Sequence, residues 1–199
     1  LAGFTKANFS FEKTGWPIPN FLLAIWKILR SFAAAHQIFQ HMKIQQIDHK
    51  LAELGLHLPV LPTSKGIYQR CLTVGNLVYF SGHVSVNTDG SFITGKLGAD
   101  LNEEQGMAAA RQCGLAILAA LKEHLGSLDK VKRVVKLLGM VNATPDYQHH
   151  PVVINGCSEL FASLWGPEHG VGVRSAVGMG SLPGNVAVEI EGIVEVGDS

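Results

Sequence analysis

A period-two pattern near the C-terminus sets the first limit on the fold. Over residues 186–196, Val186, Val188, Ile190 and Val194 alternate with Ala187, Glu189, Glu191 and Glu195. Side chains two apart in a strand share a face, so the segment has one apolar side and one acidic side. It belongs in a sheet whose apolar side is covered and whose other side needs a separate explanation. Leu182-Pro183-Gly184-Asn185 supplies a turn before it, and Arg174 to Gly180 reads as the preceding strand.

What covers the apolar side is also legible. Asn102, followed by Glu103 and Glu104, caps a helix running to Leu125, with Met107, Ala110, Leu115, Leu118 and Leu121 on an apolar stripe and Gly126 as its stop. Pro151 fits the first turn of another helix through Leu164, which Gly166-Pro167 ends. Upstream, Ile44, Ile47, Leu51 and Leu54 predict a short helix closed by Gly55, and Pro59 and Pro62 an extended link. Ile67 to Thr73, Leu77 to Ser81 and His83 to Val86 read as strands, with turns at Val74-Gly75-Asn76 and Asn87-Thr88-Asp89-Gly90. Val131 to Val141 is a further β-branched run. The predicted order is β-β-β-α-β-α-β-β: an α+β domain with two helices on one face of a mixed sheet.

Charge narrows the partners. Of 16 basic and 16 acidic residues, Lys6, Lys13, Lys27, Arg30 and Glu12 fall within residues 1–41, leaving 12 basic against 15 acidic in residues 42–199. A slightly acidic body lacks the phosphate-neutralising patch that nucleic-acid binding requires, so small molecules are the expected partners. Only 16% of residues are charged, which points to a large core and a buried subunit interface. Residues 1–41 are expected to be an N-terminal extension: a leader or read-through before Met42, a targeting segment, or a membrane-surface helix. Their apolar run, Phe21 to Ala35, is too short and too charged to span a bilayer. Cys71, Cys113 and Cys157 form neither a disulfide framework nor a zinc-ligand spacing, so a reducing, cytoplasmic setting is expected, or an organelle if residues 1–41 direct the chain there.

Arg174 is the only Lys or Arg after Lys136, and it stands among apolar and very small residues, Val173, Ser175, Ala176 and Gly178. Alternation puts Arg174, Ala176, Gly178 and Gly180 on one face, with room beside the guanidinium for a ligand or another chain. Two readings stay open: an ion pair with Glu189 or Glu191 on a neighbouring strand, or an anionic ligand. The nine histidines, including His149-His150, follow no metal-site spacing and read as structural or surface residues. Cys157 reads as a small core residue rather than a nucleophile.

Gly66-Ile67-Tyr68, Leu77-Val78-Tyr79-Phe80-Ser81-Gly82, Asn155, Arg174-Ser175-Ala176-Val177, Leu182-Pro183 and Val188-Glu189-Ile190-Glu191 resemble, in order and spacing, the YjgF/Rid family of enamine/imine deaminases. The match spans about residues 42–199. Gly95-Lys96-Leu97-Gly98-Ala99-Asp100-Leu101 and Arg133-Val134-Val135-Lys136-Leu137 resemble a bacterial-type branch once described as endoribonucleases. The resemblance implies a chorismate-mutase-like fold and a homotrimer with inward-facing sheets and ligand sites between subunits. It implies that Arg174 clamps a carboxylate, that Glu189 holds the attacking water, and that Tyr68, Gly82 and Asn155 line the pocket. Ala176 stands where many members carry cysteine, which leaves a backbone N–H but no thiol, and His83 replaces a common glutamine. The implied reaction turns 2-imino or enamine acids such as 2-aminoacrylate into 2-oxo acids and ammonia, with no metal or cofactor. A non-catalytic trimer that binds 2-oxo acids uses the same clamp; an endoribonuclease fits the charge balance poorly.

Overall fold

A computed structural model of the chain describes residues 46–61, 63 and 66–197. The expected extension over residues 1–41 lies outside them. Helix α1, Gln46–Glu53, buries Ile47 and Leu51 and docks through Lys50, whose Nζ donates to the Leu164 carbonyl at 2.7 Å. Strands β1, Cys71–Val74, and β2, Leu77–Val84, form a hairpin. Helix α2, Glu103–Leu125, then leads through a short 3-10 turn to β3, Val131–Asn142. Helix α3, His150–Gly170, crosses to β4, Val173–Met179, and a second 3-10 turn, Pro183–Asn185, precedes β5, Val188–Val196. The five strands lie in the order β1-β2-β5-β3-β4. The β3–β4 pair is parallel and the others are antiparallel.

The predicted α+β class therefore holds, and so do most of the signals behind it. The Asn102 side chain accepts from Gln105 N–H while the Gln105 side chain accepts from Asn102 N–H, both at 2.9 Å, and Gly126 adopts φ 78° to end α2. At Gly166, φ 78° and ψ 168° break α3 where the Gly-Pro pair predicted a stop.

One element differs. The expected third strand, His83 to Val86, does not exist as a separate element: β2 runs through to Val84, and Val86 makes only an isolated bridge to Phe92. The order is thus β-β-α-β-α-β-β after α1. The apparent break is a bulge, because Phe80 pairs with Gly192 and His83 with Ile190, which leaves Ser81 and Gly82 together opposite Glu191. The first strand also starts at Cys71 rather than Ile67.

Helices α2 and α3 cover one face of the sheet, and their contact is close because glycine lies at the crossing. A Cβ on Gly156 would overlap the Met107 carbonyl oxygen, and one on Gly114 would press on Leu160 and Cys157. Val188, Ile190 and Val194 of β5 are buried beneath the helices with Phe161, Leu118 and Leu137. The opposite face carries no helix. It presents Leu72, Val74, Tyr79, Val173 and Val177, all exposed, around the β5 glutamates.

Candidate functional site

The guanidinium of Arg174 reaches across β4 onto α3. Its Nη1 donates to Asn155 Oδ1 and Ser158 Oγ, both at 2.9 Å, and its Nη2 donates to the Pro151 carbonyl at 3.1 Å. Pro151, Asn155 and Ser158 follow i, i+4, i+7 spacing, one face of a helix. Small neighbours allow this reach: a Cβ on Gly139 would overlap Ile154, and one on Gly178 would overlap His150. The space that the small residues were expected to leave open for a ligand is therefore filled by α3. Ala176, paired with Gly139, is half-buried and packs on the core. Of five guanidinium hydrogens, three are used by α3, and among the described residues the Nε–H and one Nη2 hydrogen have no acceptor. Two donors suffice for a two-point contact with a carboxylate.

Glu189 belongs to a second cluster. In register it pairs with Val84 on β2 and Met140 on β3, on the helix-free face, whereas Arg174 pairs with Leu137 on the helix-covered face. The β2 bulge places Gly82 against the Glu189 carboxylate, and any Cβ there would overlap it. Burial, and then the neighbouring charge of Glu191, raise the Glu189 carboxyl above its ordinary value. The same bulge forms one wall of a cleft of 460 Å³ lined by Tyr68, Arg70, Ser81, Gly82, His83 and Phe92 among others. Tyr68 stands 56% exposed at the start of this wall.

The six residues singled out from sequence thus form two groups within one chain. Arg174, Asn155 and Ala176 gather between β4 and α3; Glu189, Gly82 and Tyr68 gather around the β2 bulge. The ion pair between Arg174 and Glu189 or Glu191 is not formed, because the two strands present those side chains to opposite faces of the sheet. Arg174 takes neutral acceptors instead. Glu195, on the acidic side of β5, pairs with Arg133 at 3.4 Å.

Sequence reasoning missed Ser158, whose spacing from Asn155 on one helix was the available signal, and Arg70, which lines the cleft. It also left His83 without a place. The bulge turns His83 inward: its Nδ1 lies 2.7 Å from the Ser81 carbonyl oxygen, and its Nε2 is buried with no partner among the described residues. Burial lowers the imidazole's affinity for a proton. Cys157 sits in the core as expected, its thiol pushed up to about 12 by burial, and Cys113 is fully buried with Sγ donating to the Val188 carbonyl. His149 pairs with Glu103 at 2.7 Å on the surface. No helix of the described residues is long and apolar enough to cross a membrane.

Known proteins resemble this chain in sequence and fold. Residues 48–188 match the family described as "YjgF/chorismate_mutase-like, putative endoribonuclease". Protein TCP17 of Trypanosoma cruzi is 39% identical over 151 residues, 76% of this chain and 94% of that protein. A Dermatophagoides farinae protein named 2-iminobutanoate/2-iminopropanoate deaminase is 28% identical over 139 residues, 69% of this chain and 92% of that protein. The crystal structure of Atu1372 from Agrobacterium tumefaciens, a protein of unknown function, is similar with a TM-score of 0.72 at 39% identity, covering 81% of this chain and 99% of that one. With the family match spanning most of the chain and the fold agreeing, this protein belongs to the YjgF/Rid family.

Proposed function

We propose that this chain hydrolyses reactive 2-imino acids and their enamine tautomers to 2-oxo acids and ammonia, as a homotrimer with sites between subunits. The observation that carries the reading is Arg174: a guanidinium fixed by three acceptors on α3 with two donors to spare. Such a group is pre-organised for a planar carboxylate, which every 2-imino acid carries beside its electrophilic carbon. The name of the mite relative supports the same chemistry.

What supports an assembly of several copies is where the residues lie. Arg174 on the covered face of edge strand β4 and Glu189 on the bare face of central strand β5 cannot serve one small ligand within a chain. A neighbouring copy packed against the bare face would bring one chain's Arg174 edge to another's bulge and cover Tyr79, Leu72 and Val177. The exposed apolar area on that face favours such burial.

In this assembly Arg174 holds the carboxylate and Glu189 orients a water toward the imine carbon. As the oxygen–carbon bond forms, Glu189 takes a proton from the water and returns it to the imine nitrogen, to which the C=N electron pair moves. In the resulting 2-amino-2-hydroxy acid Glu189 takes the hydroxyl proton and passes it to the amino nitrogen, and the C–N bond breaks to release ammonia and leave the C=O of the 2-oxo acid. A carboxyl raised by burial both accepts and returns a proton more readily near neutral pH than an ordinary glutamate. Gly82, with no side chain, leaves the Glu189 carboxylate its place.

The test is ammonia and 2-oxo acid release from 2-iminobutanoate generated in situ. Turnover above the buffer rate supports the deaminase. Stabilisation by 2-oxobutyrate without turnover supports the binding-only trimer instead.

A further inference from the structure

The cleft at the β2 bulge holds a single cation. Its 460 Å³ are lined mostly by apolar residues such as Leu61, Val86, Phe92 and Val186, and Arg70 is the only Asp, Glu, Lys or Arg among the described residues that line it. The backbone of Arg70 belongs to the bulge wall, because its carbonyl accepts from the Ser81 N–H at 2.9 Å. Its side chain is 27% exposed, and Nη1 lies 3.8 Å from Glu123 Oε2 on α2. That contact places the guanidinium over one face of the helix. Ala116, Ala119 and Glu123 follow i, i+3, i+7 spacing; Ala116 lines the cleft, and Ala119 and Glu123 line an adjoining cavity of 440 Å³. The two spaces share Leu61, Thr63 and Arg70, so Arg70 stands where they meet. Its charge also reaches the cleft wall, where, after burial, it is a further cause that lowers the proton affinity of His83. A contact of 3.8 Å to a carboxylate 70% exposed is a weak ion pair. An incoming carboxylate therefore needs no vacant place on the guanidinium: it takes the place of Glu123, which returns to water at little cost.

We infer that Arg70 is a specificity-determining residue that holds a second carboxylate, so that the preferred ligands are four- or five-carbon 2-imino and 2-oxo acids with an acidic side chain. The inference rests on the deaminase reading above for the first carboxylate, which Arg174 of a neighbouring copy holds. Gly82 and Glu189 stand beside the reacting carbon, and the ligand's side chain runs along the cleft wall to Arg70, whose planar fork fits a carboxylate. In a mostly apolar cleft one such group fixes which end of a ligand goes where. Two guanidinium groups at the two ends of a site select by charge: a monoacid of equal length leaves Arg70 with its weak Glu123 contact, whereas a diacid engages both.

The experiment is calorimetric titration of the full chain with 2-oxoglutarate and 2-oxopentanoate, which have the same number of carbons and differ in the second carboxylate, repeated with Arg70→Met and Glu123→Gln. The expected preference for 2-oxoglutarate is on the order of tenfold, shrinking as salt rises because the contact is partly exposed. Arg70→Met is expected to bring 2-oxoglutarate down to the affinity of 2-oxopentanoate. Glu123→Gln, which removes the competing carboxylate, is expected to widen the preference. Equal affinity for the two acids in the unaltered chain overturns the inference, whether or not either variant folds. So does a preference that survives Arg70→Met, or one that Glu123→Gln diminishes. Ammonia release from 2-iminobutanoate, measured on the same preparation, separates the two claims. Turnover without the preference for the diacid refutes only the role of Arg70, and a preference that Arg70→Met removes, without any turnover, refutes only the deaminase.

Discussion

Replacing Arg174 with alanine separates a ligand clamp from a structural strut. The side chain is half-buried and gives three hydrogen bonds to neutral acceptors, Asn155, Ser158 and the Pro151 carbonyl. Bonds from a charged donor are worth about 1.5–3 kcal/mol each when fully sheltered. Here water can reach the site and re-solvate the freed acceptors, which lowers the total to about 1–2 kcal/mol. For a chain of this size that is a fall in Tm of roughly 2–8 °C. A buried ion pair losing one partner would instead cost about 3–5 kcal/mol, but no carboxylate pairs with Arg174 among the described residues. On the proposed function, the expected effect on catalysis is larger. Losing a two-point carboxylate contact removes about 3–4 kcal/mol from transition-state binding, a fall in kcat/KM of at least about 100-fold. Arg174→Lys is expected to rescue little, because an ammonium has three donors and α3 alone offers three acceptors. Thermal melts, sedimentation and ammonia release on the same preparations decide it. A folded Arg174→Ala protein with activity within about tenfold of the unaltered chain would refute the clamp, and so would an unfolded one whose loss of activity follows its loss of structure.

Glu189→Gln is expected to abolish most turnover yet raise stability at neutral pH. The folded carboxyl titrates above its unfolded value, so ionising it in the folded state carries a penalty that is absent below the unfolded pKa and grows as pH rises through the folded one; melts at acid and neutral pH that show the opposite trend count against it. Glu191→Gln removes the second cause of that shift, so the acid limb of the kcat/KM profile should move to lower pH, and an unmoved limb would detach Glu189 from the rate. Gly82→Ala should displace the Glu189 carboxylate and lower kcat with little change in Tm, because the obstructed atoms are the end of a flexible side chain; unaltered turnover would speak against that contact in catalysis. Gly156→Ala puts a methyl against the Met107 backbone and is expected to destabilise by about 1–3 kcal/mol or more, read by urea unfolding, with no change meaning that the helices yield freely.

Sequence by itself determined the layers of this fold. The alternation along β5, the Asn102 capping box, the Gly126 and Gly166 stops and the Pro183-Gly184 turn are local signals, each decided by residues within a few positions of one another. They suffice to give two helices over one face of a sheet, and the ordered motifs around Arg174 and Glu189 carry the family besides. Tertiary structure alone decided how the site is divided. The bulge at Ser81 and Gly82 is visible only when Phe80 and His83 meet Gly192 and Ile190 on β5, more than a hundred residues away. That single extra residue turns His83 inward and brings Gly82 to Glu189. Likewise, strand alternation puts Arg174 and its small neighbours on one face but cannot say which face. Only the seating of α3 over Gly139 and Gly178 settles that the guanidinium serves Asn155 and Ser158 and not a glutamate. The physical reason is the same in both cases: a one-residue change in register, or a choice of face, reverses where a side chain points at no cost to the local pattern, so long-range pairing must decide it.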